Sequence, residues 1–366
     1  MHLPHVTSLS SALLSADSGS NSSLQIADSL KTTHSNQTVT KSRADDFLQQ
    51  GIEQHQISQF HEAIQSWQLA LDQYRKIGER LGEARALGNL GLAYDSLGHY
   101  QRAVDHYQKS LAIIRKIGDR NREGKTLGNL SNAYLNLRQY QQAIELYQQQ
   151  FAIIGEIDDR AGQGRALGNL GNAYLHLGHY QRAIELFDQR LTITCETGDR
   201  QGEGNTLGNL GNAYFLQGHY QCAIDLYQQQ LEVTRKIGDR HGESNALGNL
   251  GIAYRNLGQY QQAIDLYEQQ LDITREIGDR QGEGNALGNL GFVFETQGQS
   301  DRAIRLYQQS VAVRENIRRE FTDPALRQSY TDKISRTYYA LAELLFRQGH
   351  IVESQQILEL LKIEEN

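Results

Sequence analysis

Apolar positions along this chain fall at helical spacing and are interrupted at regular intervals by glycine. In residues 161–200, Ala166, Leu167, Leu170, Gly171, Ala173 and Tyr174 form one stripe. Gly178-His179-Tyr180 breaks it, and Ala183, Ile184, Phe187, Leu191 and Ile193 begin a second. Gly198-Asp199 closes the segment, the glycine suiting the left-handed position after a helix and the aspartate capping the next one. Each stripe predicts a helix of about 17 residues, about 25 Å long. Two such helices joined by a short turn make an antiparallel pair.

The pattern repeats. Leu-Gly-Asn-Leu begins at residues 87, 127, 167, 207, 247 and 287, always 40 apart. Ala63, Ala103, Ala143, Ala183, Ala223, Ala263 and Ala303 keep the same period. So do the aromatics Trp67, Tyr107, Tyr147, Phe187, Tyr227, Tyr267 and Tyr307. A single hairpin cannot bury its own stripe, so neighbours must stack into an array that grows in one dimension. The expected fold is all-α, a coiled array of seven helix-pair units over residues 44–320. In the first unit Gln50 and Gln54 stand where later units have Leu and Tyr, as befits a capping repeat. After residue 320 the register slips by 11 residues. Asp323-Pro324 suits a helix start, and Tyr338, Leu341, Ala342, Leu345, Gly349, Ile351 and Leu358 outline a degenerate pair within residues 321–366. Residues 1–43, rich in Ser, Thr and Asn, are expected to be disordered.

Composition narrows the function. The net charge is −7, with both signs mixed and no Lys/Arg block, which argues against a nucleic-acid partner. No apolar run reaches the ~18 residues of a membrane span. The N-terminus lacks the basic region of a secretory signal. Two cysteines, Cys195 and Cys222, make no disulfide framework, and a cytoplasmic location is expected. Both occupy repeat slots held elsewhere by arginine (Arg235 and Arg275; Arg102 and Arg182), which suits a variable surface position better than a nucleophile. His99, His179 and His219 recur in a turn where Gln259 replaces them, so they read as solvated rather than metal-binding. The glycines of residues 202–208 are misplaced for a dinucleotide loop, and no strand precedes them. The expectation is a chain without catalytic residues, cofactor or metal.

At about 100° per residue, Leu87, Leu90, Gly91 and Tyr94 cluster on one side of their helix, while Arg85, Asn89, Leu92 and Ser96 lie opposite. Along the repeats, the first of these positions reads Arg85, Lys125, Arg165, Asn205, Asn245, Asn285. The second is asparagine throughout: Asn89, Asn129, Asn169, Asn209, Asn249, Asn289. The third reads Leu92, Asn132, Asn172, Asn212, Ile252, Phe292, and the fourth Ser96, Asn136, His176, Leu216, Asn256, Thr296. An amide donates and accepts, so it can bind peptide backbone whatever the side chains. Arg85, Lys125 and Arg165 would draw acidic residues toward the N-terminal half, while Leu216, Ile252 and Phe292 would take apolar anchors. The candidate partner-binding groove is therefore Arg85, Asn89, Lys125, Asn129, Asn132, Arg165, Asn169, Asn172, Asn205, Asn209, Asn212, Asn249 and Asn289. Two readings of the asparagines stay open: contacts to a partner, or bonds between neighbouring first helices fixed by duplication.

Leu167-x2-Leu170-Gly171-x2-Tyr174, followed by Ala183 and Phe187, resembles the tetratricopeptide repeat (TPR), with Leu in place of Trp and a 40-residue unit rather than one of about 34. The resemblance implies a right-handed superhelix, in which the first helix of each pair lines a concave wall, and a chain that is a protein-interaction scaffold. Asn169 to Tyr174 and Ile237 to Arg240 are similar to repeats of Pins-type G-protein-signalling modulators, which bind partner peptides on that wall through Asn and Arg. No GoLoco-like segment accompanies them. Closer still is the resemblance of Ala44 to Gln54, of the repeats, and of Arg314 to Tyr330 to bacterial TPR proteins that carry a caspase-like CHAT protease. It implies that a protease domain would begin near Asn366, and it supplies an alternative: the regulatory sensor half of a TPR–CHAT system whose catalytic domain is absent from this chain.

Overall fold

The computed structural model describes residues 18–157, 159–321 and 324–362, with side chains from residue 37 except at 324 and 325. These residues form sixteen helices and no strand. The chain divides into two compact units, Met1–Ala133 and Tyr134–Asn366, each taken here by itself.

In the first unit, α1 (Ser18–Gln56) pairs with α2 (Phe60–Ile77), and α3 (Arg80–Ser96) with α4 (Tyr100–Ile117). α2 also packs on α3, and α5 (Arg120–Asn136) begins the next hairpin. Ala44, Leu48, Trp67, Tyr74, Leu87 and Leu90 belong to one core. The Trp67 indole donates to the Leu48 carbonyl at 3.1 Å, and Gln54, polar where later repeats carry tyrosine, accepts from the Ser66 hydroxyl at 2.8 Å. Residues 18–43, expected to be disordered, are instead the N-terminal part of α1. From 37 to 43 their side chains are mostly exposed, Val39 at 66 %, so this stretch has no buried stripe for a sequence reading to detect. Residues 1–17 lie outside the described residues.

In the second unit, α6 (Tyr140–Glu156), α7 (Arg160–His176), α8 (Tyr180–Thr197), α9 (Arg200–Leu216) and α10 (Tyr220–Ile237) follow one another. Then come α11 (Arg240–Asn256), α12 (Tyr260–Glu276), α13 (Arg280–Thr296) and α14 (Ser300–Glu320). Each of α6 to α13 packs on the helix that follows it, and successive first helices touch (α7 on α9, α9 on α11, α11 on α13). This is the geometry of a helical solenoid. Glycine makes the close approach possible: a Cβ on Gly251 would sit 2.5 Å from Cε1 of Tyr267, whose ring is fully buried. The hairpin turn also needs glycine, since Gly178 has φ 85° and the next amide, that of His179, returns to the Tyr174 carbonyl at 2.9 Å. Arg138 holds the same turn at φ 59° without that freedom.

Helix starts are fixed by carboxylates. Asp199, Asp239 and Asp279 accept from the Gly202, Gly242 and Gly282 amides at 2.8–2.9 Å. Glu243 is buried yet meets two arginines, with Arg235 Nε at 2.8 Å and Arg240 on its other oxygen. Burial pushes its carboxyl up, but the hydrogen bonds from Arg235 and Arg240 outweigh that and hold it below the usual glutamate range. Glu123 of the first unit has the same balance, with Arg115 at 2.9 Å and Arg120 at 2.8 Å.

The 11-residue slip has a simple origin. α14 and the connection after it take residues 300–323, four more than residues 220–239 or 260–279 in earlier units, and α15 (Pro324–Arg347) has 24 residues against 17, seven more. Pro324 opens α15, and Asp323 lies outside the described residues. α15 pairs with α16 (Ile351–Glu359), and Gly349 repeats the left-handed turn at φ 87°. No helix among the described residues is long and apolar enough to cross a membrane.

Candidate functional site

The six asparagines of the second column stand on the same turn of α3, α5, α7, α9, α11 and α13. Asn129 is exposed and the other five half-buried, and among the described residues none of the six side chains makes a hydrogen bond. The idea that they tie neighbouring first helices together thus finds no bond to support it. In the first unit Arg85, Lys125 and Asn132 are exposed beside Asn89 and Asn129. In the second, Arg165 leans on the helix cap, Nη2 lying 3.4 Å from Asp159.

Within the second unit the first-helix strip lines two cavities. One, of about 410 Å³, is walled by Asn172, Asn205, Asn209, Asn212, Asn245 and Asn249 over Arg190 and Gln230. The other, of about 400 Å³, shares Asn245 and Asn249 and adds Asn285, Asn289, Ile252 and Phe292 over Gln270 and Arg314. The shared pair makes them successive stretches of one trough. Arg165 and Asn169 line neither. Asn212 is oriented from below, its Oδ1 accepting from the Tyr227 hydroxyl at 2.7 Å; Asn172 faces the turn over Phe187, which has no hydroxyl to offer.

The floor comes from the second helices, through the glycine of each Leu-Gly-Asn-Leu. A Cβ on Gly168 would meet the Arg190 guanidinium, and one on Gly248 would lie 2.6 Å from Gln270 Nε2. Gln230 and Gln270 are each 6 % exposed, and the carbonyl oxygen of each side-chain amide has no partner; Arg190 Nε is likewise buried and unmet. A buried polar atom without a bond costs about 1–3 kcal/mol. Burial also pulls the Arg190 guanidinium below its usual range. Ser310, at the corresponding position of α14, is satisfied by the Gly284 carbonyl at 2.7 Å.

Sequence reasoning missed this floor and the basic end of the trough. Ser110, Gln150, Arg190, Gln230, Gln270 and Ser310 form a polar column at the 40-residue period inside an otherwise apolar stripe, and that was a readable signal. Arg314, Lys333 and Arg336 also line the second cavity, with Arg255. With the 11-residue slip applied, Arg336 continues the column of Arg85 and Asn285, and Ala340 that of the asparagines. The exposed cysteines Cys195 and Cys222 are both free and belong to neither cavity.

Stacked helix pairs with a polar trough on the first helices define an α-solenoid of the repeat-scaffold class. The chain belongs to the tetratricopeptide repeat family: one family model with that description matches residues 52–116, 122–196, 202–276 and 242–316, and a second matches 335–359. A search of the curated proteins found no match. Among solved structures, the apo form of RapI is similar at 16% identity and TM-score 0.62, over 75% of this chain and 99% of that one. The apo form of the quorum sensor NprR from B. thuringiensis is similar at 13% identity and TM-score 0.55, over 94% and 93%. A STAND protein with a tetratricopeptide repeat sensor, PH0952 from Pyrococcus horikoshii, is similar at 17% identity and TM-score 0.59, over 82% of this chain and 43% of that one. At these identities the likeness is one of fold.

Proposed function

We propose that this chain is a protein-interaction scaffold that holds a partner peptide along the asparagine-lined face of its first helices. One observation carries the reading: a column of six asparagines, none of them buried, whose side-chain amides make no hydrogen bond among the described residues. An amide left free at a trough wall can bond both the N–H and the C=O of an extended backbone. The face comprises Arg85, Asn89, Lys125, Asn129 and Asn132 in the first unit and Arg165, Asn169, Asn172, Asn205, Asn209, Asn212, Asn249 and Asn289 in the second, the cations serving only as donors, to backbone carbonyls or to carboxylates. The role is non-catalytic and cytoplasmic, needs no cofactor, and involves neither nucleic acid nor membrane. The Pins-type resemblance favours the same use of Asn and Arg.

The test is affinity capture with the full chain. Partners held by the natural chain should be lost on Asn209→Ala with Asn249→Ala, with helix content unchanged. A partner that binds the double variant as tightly as the natural chain would sink the reading.

A second reading, the regulatory sensor of a TPR–CHAT protease system, is favoured by the similarity of Ala44 to Gln54 and Arg314 to Tyr330 to those proteins. The repeats of PH0952 are likewise described as a sensor within a larger protein. Co-purification of a separately encoded His–Cys protease would favour it, and capture of unrelated effectors alone would exclude it.

A further inference from the structure

We propose that the C-terminal end of the second unit's trough is a receptor for an acidic peptide segment, its carboxylates held by Arg255, Arg314, Lys333 and Arg336 and a backbone N–H by Gln270. The proposal deepens the scaffold reading and rests on it. Four cations from α11, α14 and α15 line this cavity, and no carboxylate does, although the chain as a whole carries a charge of −7. None of the four makes an ion pair among the described residues. Elsewhere the same residue types are routinely paired, as Arg235 and Arg240 are on Glu243. Glu295, on the helix that carries Phe292, is engaged by the Tyr307 hydroxyl at 2.8 Å.

Arg314 is the strongest of these observations. It is 7 % exposed, and its bonds go to neutral acceptors only: the Ser310 hydroxyl at 3.1 Å, the Gly284 carbonyl at 3.2 Å and Asn285 Oδ1 at 3.0 Å. Burial pulls the guanidinium below its usual range. A buried charge without a counter-charge is costly, and an incoming anion would relieve that cost. Arg255 and Arg336 are oriented by stacking over the Phe292 ring at 4.8 and 5.8 Å, which splays both guanidinium groups at the cavity mouth. Gln270, 6 % exposed with its amide oxygen unmet, lines the same cavity and asks for a donor. A small inorganic anion satisfies the cations alone. An acidic peptide brings carboxylates and an N–H together, and apolar side chains for Ile252 and Phe292 besides.

The experiment measures fluorescence anisotropy of the full chain with labelled Glu-Asp-Leu-Glu-Glu-Leu-Asp and its amide counterpart Gln-Asn-Leu-Gln-Gln-Leu-Asn, at low and high salt. The acidic peptide should bind at least about tenfold tighter at low salt and lose that advantage at high salt. Arg255→Gln with Arg336→Gln should cancel the preference, bringing the acidic peptide's affinity down to that of the amide peptide, with the helix content unchanged. Gln270→Met should weaken both peptides alike. Inorganic phosphate at matched ionic strength should not displace the acidic peptide, and displacement would overturn the peptide assignment. Equal binding of the two peptides, or an acid preference that survives the double arginine variant, would overturn the basic receptor while leaving the asparagine trough intact. Absence of binding by either peptide up to about 1 mM would overturn it too, and the scaffold reading would then stand or fall by the capture experiment alone.

Discussion

The two cavities of the second unit are built from the same parts and differ in what those parts present. Both are walled by first-helix asparagines, floored by a side chain that reaches up past a glycine, and share Asn245 and Asn249. The first is lined almost wholly by amides, with one half-buried arginine at its floor. The second has an aromatic wall at Phe292 and a cluster of cations to which α15 contributes Lys333 and Arg336. What differs is the lining. The frame positions, Gly251 against Tyr267 and Gly291 against Tyr307, are held by contact on every side. The wall asparagines, half-buried and without hydrogen bonds among the described residues at Asn209, Asn249 and Asn289, can change with less effect on the core.

That comparison can be attacked at several strengths. Gly251→Val strikes the frame common to both cavities, and forcing apart α11 and the Tyr267 ring should cost about 3 kcal/mol in urea denaturation, the top of the range for overpacking. A cost well under 1 kcal/mol would mean that the ring moves aside and the frame is not shared. Next in size, Glu243→Gln should cost about 2 kcal/mol, since it removes charge-assisted bonds to Arg235 and Arg240 from the helix that carries Asn245 and Asn249. Its pH signature follows from the sign of the shift. Glu243 and Glu123 are held below the ordinary glutamate value when folded, so their stabilisation is complete above that value, near 4.3, and lost as pH falls through the folded one. The urea midpoint should stay level from neutral pH to about 5 and then fall, less steeply in Glu243→Gln.

Smaller still, Arg138→Gly lies outside both cavities and should stabilise the chain by about 1 kcal/mol, because arginine occupies a left-handed turn at φ 59° that glycine enters without strain. Its binding properties should be those of the natural chain, and altered affinity would tie the turns to the trough. The smallest effect belongs to Asn209→Ala with Asn249→Ala, which should change stability by no more than about 0.5 kcal/mol per site, because neither amide makes a hydrogen bond among the described residues. A larger loss would return these asparagines to a structural role.

The hairpins were legible because period and packing speak the same language. Leu170, Gly171, Tyr174 and Phe187 recur wherever two helices meet, and the turn at Gly178 and the cap at Asp199 fall where their chemistry places them. The helicity of residues 37–43 was not legible: exposed positions such as Val39 show no buried stripe from which to infer a helix. The asparagine strip was found from helical angle alone, and in the second unit Asn172, Asn205, Asn209, Asn212, Asn249 and Asn289 do line common cavities. Two things escaped. The floor was hidden because Gln230 and Gln270 sit in second helices whose stripe was read as core. The basic end was hidden because α15 begins after an insertion, so Arg336 drops out of a column read at 40-residue steps.

The gap left by the glycine of each Leu-Gly-Asn-Leu has an evolutionary side. When a 40-residue block is copied, the empty socket is copied with it, and one codon in the following helix decides whether Ser310, Gln270 or Arg190 fills it. New recognition chemistry is therefore reachable by single-base steps that leave backbone and fold untouched, and a tandem array becomes a set of interchangeable letters rather than a single fixed word.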